Sequence, residues 1–195
     1  MKTELRINVR KITGSNTLVG KIGGNRDFPK FMTAAMEAPE GSTVVFDWSG
    51  IELATASYFG ATILPLLKMS NVGQLDRYFM LVGINPDFLD ELKLVIEFHS
   101  LAVLVGDIGR GDSICNVRVI GKLESPYSET LDAITKASRA SASILHKEHS
   151  KKNQIGKTGW ANRLAYLSQL RLVKKQRVGR ELVFQPIYGG DQNGC

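Results

Sequence analysis

Apolar residues in the first 121 positions alternate between short continuous runs and longer amphipathic segments. The continuous runs, which are typical of strands covered on both faces, occupy residues 43–48, 77–84 and 101–107. The positions Leu5, Ile7 and Val9 recur with a period of two and predict a half-buried first strand that ends at Gly14. Alternation over residues 114–121 predicts an edge strand.

Segments with helical spacing lie between these runs, at residues 27–38, 58–70 and 85–100. Residues 17–24 are ambiguous and are compatible with a second short strand. Pro65 should kink or shorten the second helix, because proline lacks the N–H that a helix interior needs. Asn85 is the expected N-cap of the third helix, and Pro86 suits its first position.

Buried strands that alternate with amphipathic helices indicate an α/β layer with mostly parallel central strands. The pattern changes near Gly121, so we expect an α/β domain over residues 1–121, a second domain over residues 122–188 and a flexible tail over residues 189–195. Residues 1–121 contain 12 Lys and Arg against 13 Asp and Glu, whereas residues 122–195 contain 13 against 6. A basic segment joined to a nearly neutral one suggests a module that binds a polyanion.

The second segment contains three helical patterns followed by two strand patterns. The helical patterns cover residues 125–138, 141–149 and 156–173. Ser128 is the expected N-cap of the first of these helices, with Glu129 in its first turn. Residues 171–187 predict two strands joined by a basic turn around Val178 and Gly179. Three helices followed by a two-stranded ribbon are the arrangement of a winged helix-turn-helix.

The last of the three helices has an apolar face formed by Trp160, Leu164 and Leu167. Its exposed side is then expected to carry Thr158, Gly159, Asn162, Arg163 and Tyr166. Arginine reads guanine and asparagine reads adenine in the major groove, while lysine and free backbone N–H groups suit a phosphate. The candidate DNA-binding residues are Lys157, Thr158, Asn162, Arg163, Tyr166, Lys174, Lys175, Arg177 and Arg180.

Residues 155–187, IGKTGWANRLAYLSQLRLVKKQRVGRELVFQPI, resemble the recognition helix and wing of bacterial winged-helix regulators. The leucine-rich end of the helix followed by RLVKKQRVGRELVF is similar to the turn into their wing. The resemblance implies binding to double-stranded DNA. Winged helices also serve as protein-binding modules, so that alternative stays open. Gly159 departs from the pattern, because glycine is a weak helix former.

A second motif lies in residues 43–67, TVVFDWSGIELATASYFGATILPLL, where small hydroxyl residues follow a buried strand and open a helix. This run resembles the STAS domain of anti-sigma-factor antagonists, and more closely its divergent STAS-like relatives. In that family an Asp-Ser-Ser-Gly motif opens the helix, and here Thr55, Ala56, Ser57 and Tyr58 occupy it. Three of these four positions depart from the family motif.

The STAS resemblance implies a domain that binds proteins without catalysis. The usual partner is a kinase of the histidine-kinase-like ATPase fold, which phosphorylates the second serine of the motif and so switches partner binding. By position that serine is Ser57. The alternative from the residues themselves is that Ser57 is a helix cap or a small packing residue.

The sequence offers no grouping of nucleophile, base and orienting residue, so no enzyme activity and no cofactor are expected. Residues 156–158, GKT, lack the preceding strand and glycine of a phosphate-binding loop. The glycine-rich stretch 106–111 leads into a strand pattern and predicts a turn. His146 and His149 have no convincing further ligand, so no metal site is expected.

The N-terminus does not have the pattern of a signal peptide, and no apolar segment is long enough to span a membrane. Two cysteines, Cys115 and Cys195, do not make a disulfide framework and favour a reducing cytoplasm. The expected protein is therefore a cytoplasmic DNA-binding transcriptional regulator, dimeric because winged helices commonly bind two half-sites. The alternative is a signalling adaptor in which both modules bind proteins.

Overall fold

The structure, a computed structural model, describes residues 4–149 and 155–188. The chain divides into two compact units between Lys122 and Leu123. The predicted flexible tail, residues 189–195, lies outside the described residues.

The first unit is an α/β fold built around a mixed five-stranded sheet. The strands of the whole unit, including two outside this sheet, are β1 (Glu4–Asn8), β2 (Thr17–Leu18), β3 (Thr43–Asp47), β4 (Leu53–Ala54), β5 (Tyr78–Val82), β6 (Ala102–Ile108) and β7 (Ile114–Gly121). Its helices are α1 (Val9–Thr13), α2 (Gly20–Met36), α3 (Ala56–Ala61), α4 (Ile63–Asn71) and α5 (Pro86–Phe98), with a 3₁₀ turn at Arg110–Asp112. The order β1-β3-β5-β6-β7 has parallel pairing up to β6 and an antiparallel edge strand β7, which confirms the predicted parallel centre and edge.

The strands β3 and β5 are buried at every residue, as their continuous apolar runs predicted. The expected turn over residues 106–111 is confirmed only in part, since residues 106–108 end β6 and the chain then passes through the 3₁₀ turn into β7. The ambiguous residues 17–24 split between two elements: β2 pairs with β4 in a separate parallel ribbon, and α2 begins at Gly20. The helix α2 thus begins seven residues before the predicted helical segment, which starts at residue 27.

The prediction of a first strand extending to Gly14 was wrong beyond Asn8. The side chain of Asn8 accepts a hydrogen bond from the backbone N–H of Lys11 over 2.9 Å and caps the short helix α1. Gly14 ends that helix with a φ of +72°, a conformation that glycine adopts without strain. Val9 is therefore the first residue of a helix. The strand that contains Leu5 and Ile7 ends before it, although the three apolar residues alternate regularly.

Pro65 shortens the helical segment, as expected, by dividing it at Thr62. The backbone of Thr62 has φ −118° and ψ −71°, which separates α3 from α4. A proline clashes with the carbonyl four residues earlier, here that of Ala61, and donates no hydrogen bond. The break makes α3 a six-residue helix whose N-terminus follows β4 directly.

The helix α5 begins as predicted. The side chain of Asn85 accepts a hydrogen bond from Asp87 N over 2.9 Å, and Pro86 opens the helix. Phe88 and Leu92 are buried and hold α5 in the core of the unit. The ring of Phe88 lies 6.3 Å from that of Phe59 on α3, so α5 and α3 pack together.

In its described residues, 123–149 and 155–188, the second unit contains three helices and a small antiparallel sheet. The helices are α6 (Ser125–Ala137), α7 (Ala142–His149) and α8 (Lys157–Gln169), and the strands are β8 (Ala140–Ser141), β9 (Val173–Val178) and β10 (Glu181–Pro186). The sheet order is β8-β10-β9, so the expected two-stranded ribbon is in fact three-stranded. Two residues are too few for a strand pattern to be recognised in the sequence, which is why β8 was not predicted.

The expected N-cap of α6 was wrong, because the helix starts three residues before Ser128. Glu124 occupies the cap position, and Pro126 lies in the first turn, where proline needs no backbone donor. Ser125 instead donates a side-chain hydrogen bond to Glu129 over 3.1 Å. The hairpin turn was predicted correctly: Gly179, at φ +61°, and Arg180 connect β9 to β10.

Candidate nucleic-acid interface

The inward face of α8 is formed by Trp160, Leu164 and Leu167, which are 2%, 0% and 0% exposed. This confirms the apolar face predicted from their spacing. The opposite face is exposed and carries Thr158, Ala161, Asn162, Ala165 and Gln169. Of the predicted contact residues, Thr158 and Asn162 therefore lie on the exposed face of α8. Sequence analysis had missed the two alanines, although their spacing of four residues places them on the same face.

Arg163 and Tyr166 lie against α6 instead of pointing freely outward. The guanidinium of Arg163 donates from Nη1 to the carbonyl of Pro126 over 3.3 Å and lies 5.6 Å from the centre of the Trp160 ring. The ring of Tyr166 packs against that of Tyr127, with centroids 4.2 Å apart and an angle of 37° between the ring planes. A contact of Arg163 with guanine, as the sequence predicted, would require these interactions to break.

Gly159 has a packing reason to lie in the first turn of α8. A Cβ atom at this position would be 2.7 Å from Cγ2 of Ile155, closer than two carbon atoms pack. Any larger residue would push Ile155 aside. Close packing thus explains the poor helix former at this position.

The predicted cations of the hairpin divide between its two faces. Residues directly opposite in an antiparallel pair share one face, and successive residues alternate. Lys175 pairs with the buried Phe184, and Arg177 pairs with Leu182, so both cations lie on the face that carries Phe184. Lys174, which pairs with Gln185, lies on the other face, and Arg180 is in the turn.

A groove with a cavity volume of about 330 Å³ lies between α8 and the hairpin. Its cationic residues are Lys157, Lys175 and Arg180, and its apolar residues include Ala161, Ala165, Leu182 and Phe184. Three of the predicted contact residues are thereby brought to one surface. Leu182 is 47% exposed there, which is unusual for leucine next to three cations.

Glu181 is the one acidic residue in the sequence of α8 and the hairpin. The hydroxyl of Ser141 donates to its Oε1 over 2.8 Å. This bond, a further bond from Ser143 and the nearby charge of Lys157 hold the pKa of Glu181 below its ordinary value. Glu181 therefore stays ionised, and the three cations of the groove outnumber this one carboxylate, so the groove carries a net positive charge.

Ser57 is exposed and is the second residue of α3. Its Oγ lies 3.2 Å from Oγ1 of Thr55, whose hydroxyl accepts a hydrogen bond from Gly20 N over 3.1 Å. The first N–H of α3, that of Ala56, donates to Oε2 of Glu91 over 2.6 Å. A carboxylate from α5 therefore already binds at the helix N-terminus beside Ser57, and Thr55 makes no side-chain cap of α3.

A buried carboxylate lies at the packing contact of α2 with α3, and the sequence analysis missed it. Asp27 is 0% exposed, and its oxygens accept hydrogen bonds from Arg26, Lys30 and Tyr58 at 2.9–3.1 Å. Burial by itself raises the pKa of Asp27, but these hydrogen bonds outweigh it and lower that pKa. Burial and the Asp27 charge raise the pKa of Tyr58. Asp27 follows the polar residues Asn25 and Arg26 in the sequence, so nothing in the pattern of apolar residues indicates that its side chain is buried.

The structure assigns no catalytic or metal-binding role to the other candidates, His146 and His149. Nδ1 of His146 lies 3.1 Å from the carbonyl of Ile155, and His149 packs on Trp160. Within residues 4–149 and 155–188, no group of three or more His, Cys, Asp or Glu side chains is placed to hold a metal ion. No helix in that part of the chain is long and apolar enough to cross a bilayer. Cys115 is buried in β7 and is not a free thiol, so the expectation of a reducing compartment rests on the sequence alone.

Comparison of the chain with protein-family models, curated proteins and solved structures found no match.

Proposed function

We propose that this protein is a DNA-binding transcriptional regulator. In this proposal the second unit is a winged helix-turn-helix, with α8 as the recognition helix and the β9–β10 hairpin as the wing. The observation that carries the proposal is the surface shared by α8 and the hairpin. The exposed face of α8 carries Lys157 at its start, is otherwise uncharged and is long enough to follow a major groove, and Lys175 and Arg180 of the hairpin lie beside it.

The charges of this surface support a polyanion as its ligand. The only carboxylate in α8 and the hairpin, Glu181, is bound by the hydroxyl of Ser141. Cations that contact phosphates release counterions from the duplex, so binding should weaken steeply as salt rises. Lys174 lies on the opposite face of the hairpin from Lys175 and Arg177. It is therefore the predicted cation least able to contact the DNA strand that those two residues would contact.

Titration of a labelled duplex from the gene's own upstream region tests the proposal. We expect saturable binding of the full chain that is competed by unlabelled duplex of the same sequence more effectively than by an unrelated duplex. The affinity should fall by orders of magnitude between about 50 and 200 mM salt if six or more phosphates are contacted. Absence of any salt-sensitive binding to duplex DNA would refute the proposal.

For the first unit we propose a STAS-like domain that binds a protein partner or senses a signal. Ser57 is exposed at the start of α3, where the motif of that family carries its phosphorylated serine. Three exposed apolar residues lie on β4 and around the start of α2: Val19, Ile22 and Leu53, at 46%, 88% and 46% exposure. We propose a kinase of the histidine-kinase-like ATPase fold as the partner, and mass spectrometry of protein from its host as the test for a phosphate on Ser57.

An added phosphate would carry about −1.5 to −2 charges at neutral pH. It would compete with Glu91 for the N-terminus of α3, so the contact between α3 and α5 is where phosphorylation would act. We propose that the regulator is cytoplasmic. We also propose that it is a homodimer, because two copies of α8 would bind two half-sites.

A signalling adaptor is the second candidate, and the exposed Leu182 in the groove favours it. An apolar side chain among cations also suits an acidic, amphipathic protein segment. Under this function the groove would bind protein and the chain would give no sequence-dependent shift of duplex DNA. The same titration therefore separates the two candidates.

A further inference from the structure

The exposed face of α8 carries Lys157 at its N-terminal end and contains no other charged residue over the following three turns. Thr158, Ala161, Asn162, Ala165 and Gln169 are all exposed, and their spacing of three and four residues aligns them in one stripe. These side chains are short or carry a primary amide. Beyond Lys157, a helix with such a stripe can approach base edges closely, since no long charged side chain separates it from them.

The one arginine of α8 is not part of this stripe. Arg163 donates to the carbonyl of Pro126 and packs on Trp160, so its guanidinium fixes α8 against α6. Lys157, the one lysine of α8, lies at the N-terminal end of the stripe and lines the groove with Ala161 and Ala165, where a lysine suits a phosphate. The two-bond contact of arginine with guanine, the commonest specific contact in the major groove, is thus missing from the stripe.

The residue types that remain have a defined preference among base pairs. The amide of asparagine or glutamine forms two hydrogen bonds with N6 and N7 of adenine. The methyl groups of alanine and threonine contact the methyl group of thymine. Both preferences select the same base pair, and the cations of the hairpin contribute affinity without sequence information.

We propose that α8 reads consecutive A·T base pairs in the major groove. Asn162 is the adenine-reading residue, Ala161 and Ala165 contact thymine methyl groups, and Arg163 is a positioning residue that contacts no base. This inference rests on the proposed DNA-binding function. It replaces the sequence-based expectation that Arg163 reads guanine.

Selection from a pool of random duplexes gives the first test. The full chain is bound to the pool at moderate salt, and the retained duplexes are sequenced over several rounds. We expect an enriched motif with adjacent A·T pairs at its centre. Enrichment of a motif centred on G·C pairs would overturn the inference while leaving DNA binding intact.

The second test changes only the DNA and so carries no risk of misfolding. The best duplex from the selection is made again with deoxyuridine in place of each thymidine in turn, which removes one methyl group. We expect a loss of affinity of about fourfold for each methyl group that α8 buries. Unchanged affinity at every thymidine would count against the contacts of Ala161 and Ala165.

The third test compares two variants on the selected duplex and on its single A·T to G·C substitutions. Asn162→Ala should lose about 5- to 150-fold in affinity and become indifferent at one A·T pair. Arg163→Ala should lower the melting temperature but keep the base preference. If Arg163→Ala alone abolishes discrimination, the assigned roles are wrong.

Failure of the inference and failure of the proposed function give different results. If no duplex in the random pool binds with salt sensitivity, the DNA-binding function fails and the inference fails with it. If salt-sensitive binding occurs without any enriched sequence, only the readout by α8 is refuted.

Discussion

Tyr58 donates a hydrogen bond from its Oη to Oδ2 of Asp27 over 3.0 Å, and both residues are fully buried. The bond joins α3 to α2 directly beneath the surface that carries Ser57. Arg26 donates to both oxygens of the same carboxylate and Lys30 donates to Oδ1, so three residues donate to the buried charge. A hydrogen bond to a buried charge contributes more to stability than one between neutral groups.

Removal of this bond should destabilise the first unit measurably. We expect Tyr58→Phe to lower the free energy of unfolding by about 1.5–3 kcal/mol, the usual contribution of a hydrogen bond to a charged group. Urea denaturation monitored by fluorescence of Trp48, which is buried in this unit, measures it. In a double-mutant cycle with Asp27→Asn the two effects should be clearly non-additive, and simple additivity would show that the bond contributes nothing.

The stability of the first unit should also depend on the charge of Asp27. The pKa of this carboxyl is lower in the folded chain than its ordinary value of 3.8. In the pH range between these two pKa values the unfolded chain binds more protons, so stability rises with pH there. The contribution is fully present above pH 3.8 and is lost as pH falls through the pKa of the folded state.

Urea denaturation of the wild-type chain and the Asp27→Asn variant at several pH values between 7 and 3 tests this dependence. We expect the advantage of the wild-type chain to be constant near neutral pH and to shrink as the pH falls below about 4. An advantage that grew on acidification would contradict the assigned direction of the pKa.

The close approach of α2 to α3 requires a glycine at position 24. A Cβ atom there would lie 2.6 Å from Cβ of Ala61 and 3.0 Å from the carbonyl oxygen of Tyr58. We expect Gly24→Ala to cost about 1–3 kcal/mol of unfolding free energy, because the two helices must move apart. Gly23→Ala is the matched control. Its added methyl group would meet Tyr58 at 3.8 Å, so the better helix propensity of alanine should leave it neutral or stabilising.

The carboxylate of Glu91 should govern how α3 tolerates a negative charge at position 57. Ser57→Asp should be more favourable by about 0.5–1 kcal/mol in a Glu91→Gln background than in the wild-type chain, because the two anions would share one helix N-terminus. Glu97→Gln removes the same charge from α5 and is the control, for which no such coupling is expected. Equal effects of Ser57→Asp in all three backgrounds would show that Glu91 does not act on position 57.

The periodicity of apolar residues was sufficient to predict the longer strands and helices in their order along the chain, but not the short elements α1, β4 and β8. Burial dictates that pattern, which is why β3, β5 and the inward face of α8 were predicted correctly. Individual polar contacts decided the features that were missed, such as the capping of α1 by Asn8 and the burial of Asp27. These contacts depend on residues distant in the sequence or on single side-chain conformations, and no periodic signal reports them.

The same limit applies to the proposed DNA-binding surface. The exposure of Thr158 and Asn162 followed from helical spacing alone. The partner of Arg163, the carbonyl of Pro126, lies 37 residues earlier in the chain. Its distance in sequence is the reason that Arg163 was taken for a base contact. The division of the hairpin cations between two faces became evident only from the register of β9 with β10.

The register of the hairpin leads to a prediction about the salt dependence of DNA binding. Lys175 and Arg177 share the face that carries Phe184 and are both exposed. If each contacts one phosphate, the double variant Lys175→Ala and Arg177→Ala should flatten the plot of log K against log salt by about two units. The control is Lys136→Ala with Arg139→Ala, two exposed cations outside α8 and the hairpin. It removes the same net charge and should shift the affinity slightly while leaving the slope unchanged. Equal slopes for the two double variants would mean that the hairpin acts only through overall charge, and the assignment of the wing to the DNA backbone would then be wrong.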